Sequence, residues 1–227
     1  MVARPCGWWL ASAHALADRA RSVERLSRFF GAWRSSTARV EDGRLGIRTE
    51  RLLAPRVSTM HADAHLHVPL AYGQARRVVR ALDVRSGDVI ADVGCGLGRL
   101  VALLARSPAT RVIGIECDPA MASMARRNVH ALRGRRARVE ILTMDAATAT
   151  YCEVTCLVLF NPFGPGTMRA MLARLRASLI EDPRAVRIAY VNPTAEGELL
   201  RCGWLKRIGG SRSLWYRHEV SYWETSG

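Results

Sequence analysis

From Asp88 onward, short runs of Val, Ile and Leu alternate with longer stretches in which Ala, Leu and Arg recur three and four positions apart. Apolar runs without polar alternation suit strands buried on both faces, and the three-and-four spacing suits helices that cover them. The pattern predicts strands near 89–93, 111–115, 138–142, 155–160, 186–191, 204–209 and 214–222, with helices near 98–106, 119–131, 166–180 and 194–201. Such alternation describes a parallel sheet with helical crossovers, an α/β fold.

The chain upstream reads differently. Trp9, Leu16, Ala20, Val23, Leu26, Phe30 and Trp33 form one apolar stripe, with Asp18, Arg21, Arg25 and Arg28 beside it. This is an amphipathic helix, suited to covering a catalytic domain or lying on a membrane surface; Gly7–Leu16 is short for a secretory signal, and His14 interrupts it. Asp42 and Gly43 suit the tight turn of a hairpin. The segment MHADAHLHVPL, Met60 to Leu70, gathers three histidines before a helix expected over about 72–82. The organisation expected is an N-terminal helical and hairpin extension over 1–60, as lid or substrate cover, and a domain over 61–227.

At 227 residues, the chain suits one enzyme-sized unit. No run approaches the roughly 18 to 20 apolar residues of a membrane span, so a soluble, cytoplasmic protein is expected. The six cysteines lack paired C-x-x-C spacing, which points to reduced thiols and to neither zinc nor disulfides. Cys152 and Cys156 fall on one face of an extended chain and are expected in the core. The net charge of +14 has the size of a nucleic-acid signature, yet every basic residue but Lys206 is arginine, a composition that a GC-rich genome also produces.

Chemistry enters with DVGCGLGRL, Asp92 to Leu100, a glycine-rich turn behind the first predicted strand. Such turns let backbone N–H groups approach a ligand at the carboxyl ends of the strands. A dinucleotide fingerprint places its third glycine at position 99, which is arginine here; Gly98 comes one residue early. Asp92 repels a pyrophosphate and suits a cation. Glu116, twenty residues beyond Gly96, is placed to accept ribose hydroxyls, which by itself separates no adenosine-containing ligands. Asp145, closing VEILTMD, is placed to accept from an adenine amino group.

The series GDVIADVGCGLGRL, GIECDP and MDAAT resembles the class I S-adenosylmethionine-dependent methyltransferases over Asp88 to Gly227. The resemblance implies a Rossmann-like, doubly wound seven-stranded sheet of order 3-2-1-4-5-7-6 with the last strand antiparallel. It assigns Asp92, Gly94, Gly96 and Gly98 to the methionine moiety and its loop, Glu116 to the ribose and Asp145 to the adenine. Asp118 before Pro119 reads as a helix cap. The fourth strand ends in Asn161-Pro162-Phe163, similar to the N-P-P-[YF] motif of enzymes that methylate planar amines, though one proline is missing and Gly164 follows. Asn161 is therefore placed at both cofactor and acceptor. Asn192-Pro193 repeats the device, where a turn explains it as well.

Methyl transfer is an in-line displacement that needs alignment more than acid–base help. His65, His67 and Tyr72 are the candidate bases, since the segment before the first helix folds across the pocket in this family. The densest basic run, Arg126 to Arg138, ends in the loop before the third strand, on the edge opposite the cofactor, and lacks interleaved aromatics. The expectation is an S-adenosylmethionine-dependent methyltransferase acting on a nitrogen or oxygen of a small molecule or protein. RNA methylation and a noncatalytic cofactor-binding protein with a basic partner surface are the alternatives.

Overall fold

The computed structural model describes residues 37–50, 65, 68–212 and 218–226. The amphipathic segment 7–33 and His67 lie outside them. Seven strands form the sheet: β1 (Val89–Val93), β2 (Arg111–Glu116), β3 (Arg138–Thr143), β4 (Cys156–Phe160), β5 (Arg187–Val191), β6 (Leu205–Ser211) and β7 (Val220–Thr225). Their order is β3-β2-β1-β4-β5-β7-β6. The first five run parallel, and β7 lies antiparallel between β5 and β6. This is the doubly wound sheet expected. Its last strand begins later than the 214–222 predicted, and residues 213–217 fall outside the described set.

Six helices are described: α1 (37–45), α2 (Tyr72–Ala81), α3 (Arg99–Leu104), α4 (Pro119–Ala131), α5 (Pro165–Glu181) and α6 (Glu196–Arg201). β1, β2, β4 and β5 are buried along both faces because both are covered. Along β4, Leu157 and Leu159 join a cluster with Met168, Met171 and Leu172 of α5, while Cys156 and Val158 join Val78 of α2, Val101 of α3 and Ala125 of α4. Asp118 caps α4 as expected, its carboxylate accepting from the N–H groups of Ala120 and Met121 at 2.7 and 3.0 Å.

Two local expectations fail. No hairpin forms at Asp42-Gly43, which lie inside α1; Gly46, at φ +78°, ends that helix instead. The Asp42 side chain does not close a local turn. It is buried and accepts from the backbone N–H of Thr49, from the Thr49 hydroxyl at 2.8 Å and from the Tyr72 hydroxyl. Cys152 does not share a face with Cys156: it sits exposed on a turn after Tyr151, whereas Cys156 is buried in β4. The described cysteines are free thiols, and no metal-binding group is found among the described residues.

Candidate functional site

Between β1 and α3 the chain turns through Gly94, Gly96 and Gly98, with φ of +74°, +56° and +81°. All three lie in the left-handed region that glycine enters without penalty. Gly94 is constrained twice, because a Cβ there would stand 2.4 Å from the Pro162 Cβ. The loop is thus clamped between β2, where the Ile115 carbonyl accepts from the N–H groups of Gly94 and Cys95 at 2.8 and 3.0 Å, and the Asn161-Pro162 turn after β4.

Two buried carboxylates flank this loop. Glu116, at the end of β2, accepts from the Gly96 N–H at 2.8 Å and from the Asp118 N–H at 2.9 Å. Burial raises its pKa, while those backbone donors oppose the rise. Asp92 is more extreme. It is 3% exposed, and its Oδ2 has no hydrogen-bond partner. Desolvation, with the Glu116 charge beside it, pushes its pKa up to about 7 against the pull of the Val101 N–H. An orphaned carboxylate oxygen beside the glycine turn fits a ligand that brings a cation.

Asp145 follows β3, its carboxylate accepting from the Ala147 N–H at 2.9 Å. The Met144 N–H donates to the Glu116 carbonyl at 3.1 Å, which ties this turn to the end of β2. Asp92, Glu116 and Asp145 therefore close three neighbouring strands on one edge of the sheet.

On the other side of the loop, Asn161 takes φ +40°. His65 reaches this turn: its backbone N–H donates to the Pro162 carbonyl at 3.0 Å, and its Nδ1 lies 2.9 Å from the Asn161 carbonyl oxygen. Thr194, after β5, donates its hydroxyl to Asn161 Oδ1. Asn192, at φ +52°, serves the turn itself, its carbonyl accepting from the Thr194 N–H at 2.8 Å. His65, ahead of α2 in the chain, thus meets the turn after β4.

Tyr72 is placed elsewhere. Its ring packs with Leu45, Ile47, Ala102 and Ala105, and burial together with Asp42 raises its pKa. A phenol that holds its proton and donates it to Asp42 is an anchor between α1 and α2, which corrects its expected role as a base.

Arg99, prominent in the sequence only as a missing glycine, is 5% exposed. It donates to the Thr49 hydroxyl at 2.7 Å and the Leu70 carbonyl at 2.9 Å, pairs with Glu50, and lies 4.7 Å over the Tyr72 ring. Directly behind the glycine loop, it fastens both ends of the 50–70 connection to α3. A buried arginine at a helix start was the available signal, but its partners lie far away in sequence.

This fold and these strand-end carboxylates define an α/β domain of methyltransferase architecture. Residues 90–182 match the family model described as a methyltransferase domain, and the strand order with β7 antiparallel is the fold of the class I S-adenosylmethionine-dependent methyltransferases. Among solved structures, an RNA methyltransferase from Salinibacter ruber in complex with S-adenosyl-L-homocysteine aligns with TM-score 0.55 and 25% identity, over 70% of this chain and 94% of that one. An S-adenosylmethionine-dependent O-methyltransferase from Thermotoga maritima aligns with TM-score 0.55 over 70% of this chain and 67% of that one; at 20% identity it speaks for the fold alone. Among curated relatives, a probable ribosomal RNA small subunit methyltransferase A of Methanosarcina acetivorans is 30% identical over 101 residues, and the phosphoethanolamine N-methyltransferase of Triticum aestivum is 34% identical over 86 residues. These matches cover 44% and 38% of this chain but only 35% and 16% of the relatives.

Proposed function

We propose that the domain transfers a methyl group from S-adenosylmethionine to a nitrogen or oxygen of a small-molecule or protein acceptor. The observation that carries this reading is Asp92 Oδ2, a buried oxygen without a partner at the floor of the glycine loop. Its complement is a compact cation, which the amine of the methionine moiety provides. When bound, the cofactor supplies an electrophilic methyl carbon on a positively charged sulfur.

The chain's own residues bind and orient. Gly94, Gly96 and Gly98 let the backbone approach the ligand. Glu116 Oε2, which accepts from the Gly96 N–H alone, keeps a lone pair for the ribose hydroxyls. Asp145 is assigned to the adenine amino group and Asn161 to the boundary between cofactor and acceptor. His65, held on the Asn161-Pro162 turn, is the described histidine assigned as a base.

Methylation of RNA is a second reading, supported by the RNA and ribosomal RNA methyltransferases among the relatives. Against it, the exposed arginines 133, 135, 136 and 138 cluster where β3 begins, on the edge away from Asp92.

Calorimetry with S-adenosylhomocysteine is expected to detect binding that Asp92→Ala and Glu116→Ala abolish; an intact protein that binds nothing refutes the reading. Labelled methyl transfer into separated RNA, protein and metabolite fractions then decides the acceptor. Label in RNA alone would replace the first reading with the second.

A further inference from the structure

Several exposed arginines of the domain meet carboxylates: Arg76 pairs with Glu41, Arg169 and Arg201 share Glu198, and Arg212 pairs with Glu219. Where β3 begins, that pairing stops. Arg106, Arg133, Arg135, Arg136 and Arg138 are all exposed, and none of the five forms an ion pair among the described residues. Arg111, the Cα partner of Arg138 on β2, takes Glu153 at 2.8 Å. A composition rich in arginine raises their number everywhere, but it does not gather five of them away from carboxylates.

These arginines stand on a ledge pinned from three sides. The Arg133 N–H donates to the Leu45 carbonyl of α1 at 2.9 Å, and the Arg136 and Ala137 N–H groups donate to the Ala105 carbonyl behind α3 at 2.8 and 3.0 Å. The Arg138 N–H donates to the Thr110 carbonyl at 3.1 Å. Gly134 turns the chain at φ +69°, and the Arg106 side chain lies over it: a Cβ there would be 3.4 Å from the Arg106 Nε. Arg106 is thereby brought to the loop that carries the other four. Like charges held together on fixed backbone repel one another, and a bound polyanion relieves that repulsion.

The character of the ledge narrows the partner. Residues 104–111 and 131–140 contain no aromatic side chain and expose no large hydrophobic one. Protein interfaces centre on aromatic and apolar anchors, and single-stranded nucleic acid is held by bases stacked on aromatic rings. Guanidinium groups without such anchors match phosphates, which a double helix offers in a stiff row, one charge per about 1.7 Å of its axis.

We propose that the arginine ledge at the start of β3 docks the phosphate backbone of a double-helical nucleic acid without reading its bases. This goes beyond the methyl-transfer reading and does not depend on it. The six residues of β3, at about 3.3 Å of rise each, set the ledge about 17 Å from the end of the strand that leads to Asp145. The docked helix is an anchor for the domain and not its methyl acceptor.

The test is fluorescence anisotropy of the full chain with a labelled RNA duplex and a DNA duplex of the same sequence. Both are expected to bind, with affinities within about threefold of each other, because the contact is to phosphates they share. Arg133→Gln, Arg135→Gln and Arg136→Gln together are expected to weaken both at least about 30-fold at low salt and to flatten the slope of log K against log salt by about 3. S-adenosylhomocysteine affinity in the calorimeter is expected to stay within about twofold. Arg135→Gln alone, the milder change, is expected to flatten the slope by about 1. The control removes the same charge elsewhere, through Arg80→Gln, Arg174→Gln and Arg176→Gln on α2 and α5, and is expected to change affinity less than about threefold. Equal losses in the two triple variants make net charge the cause and overturn the ledge. So does the absence of duplex binding, or tighter binding of polyglutamate or of phosphatidylserine vesicles than of either duplex. None of these results touches the methyl-transfer reading, which S-adenosylhomocysteine binding tests by itself.

Discussion

Asp92 sets a cost against binding within a single side chain. Its carboxyl has a pKa of about 7 in the folded domain, far above that of an exposed aspartate, so the native state keeps a proton that the unfolded chain has already lost. Stability therefore falls as pH rises from the unfolded value to about 7, and it stays lower above that. Asp92→Asn has no such charge to bury. It is expected to raise Tm by about 5 °C at pH 8, to lose that advantage by pH 4, and to bind S-adenosylhomocysteine far more weakly. Thermal melts at both pH values and calorimetry check the three statements together. Asp92 at the end of a strand beside glycines was legible in the sequence, but the missing partner on Oδ2 was not. Orphaning is a property of everything that surrounds an atom.

At the scale of elements, legibility followed the range of the interactions. β1, β2, β4 and β5 were readable because each is an apolar run covered on both faces, and the glycine turn because its spacing is local. The Asp42-Gly43 pair misled because its hairpin meaning is local, while its actual partners, Thr49 and Tyr72, lie seven and thirty residues on. Tyr72 misled for the same reason. Its place where the segment before the first helix ends suggested the pocket, yet its ring packs with Leu45 of α1 and Ala102 of α3. Tyr72→Phe is expected to cost about 1–2 kcal/mol of stability in denaturant unfolding and to leave S-adenosylhomocysteine affinity within about twofold. A variant of normal stability that loses turnover more than about tenfold would return Tyr72 to the catalytic group.

For the molecule as a whole, the boundary expected near residue 60 separates parts that share a core. Ala38, Leu45 and Ile47 of the earlier segment pack with Tyr72, Ala102, Ala105 and Leu132 of the later one, and Arg99 binds Thr49 and Glu50 across the same division. A cut there uncovers apolar side chains, each contributing about 1.5–3 kcal/mol when buried, and leaves a buried guanidinium without its carboxylate. A chain of residues 61–227 is therefore expected to melt at least about 10 °C below one of residues 37–227. Equal melting temperatures would restore the boundary at 60.

The same sheet sorts charge along its strands. Arg111, Arg138 and Arg187 begin β2, β3 and β5, with Arg133, Arg135 and Arg136 in the loop before β3, while Asp92, Glu116 and Asp145 gather where β1, β2 and β3 finish. Along β2 and β3 the described residues thus set arginines where the strands begin and carboxylates where they finish. An anion drawn to the arginines before and at the start of β3 meets the edge opposite the glycine loop and the Asn161 turn.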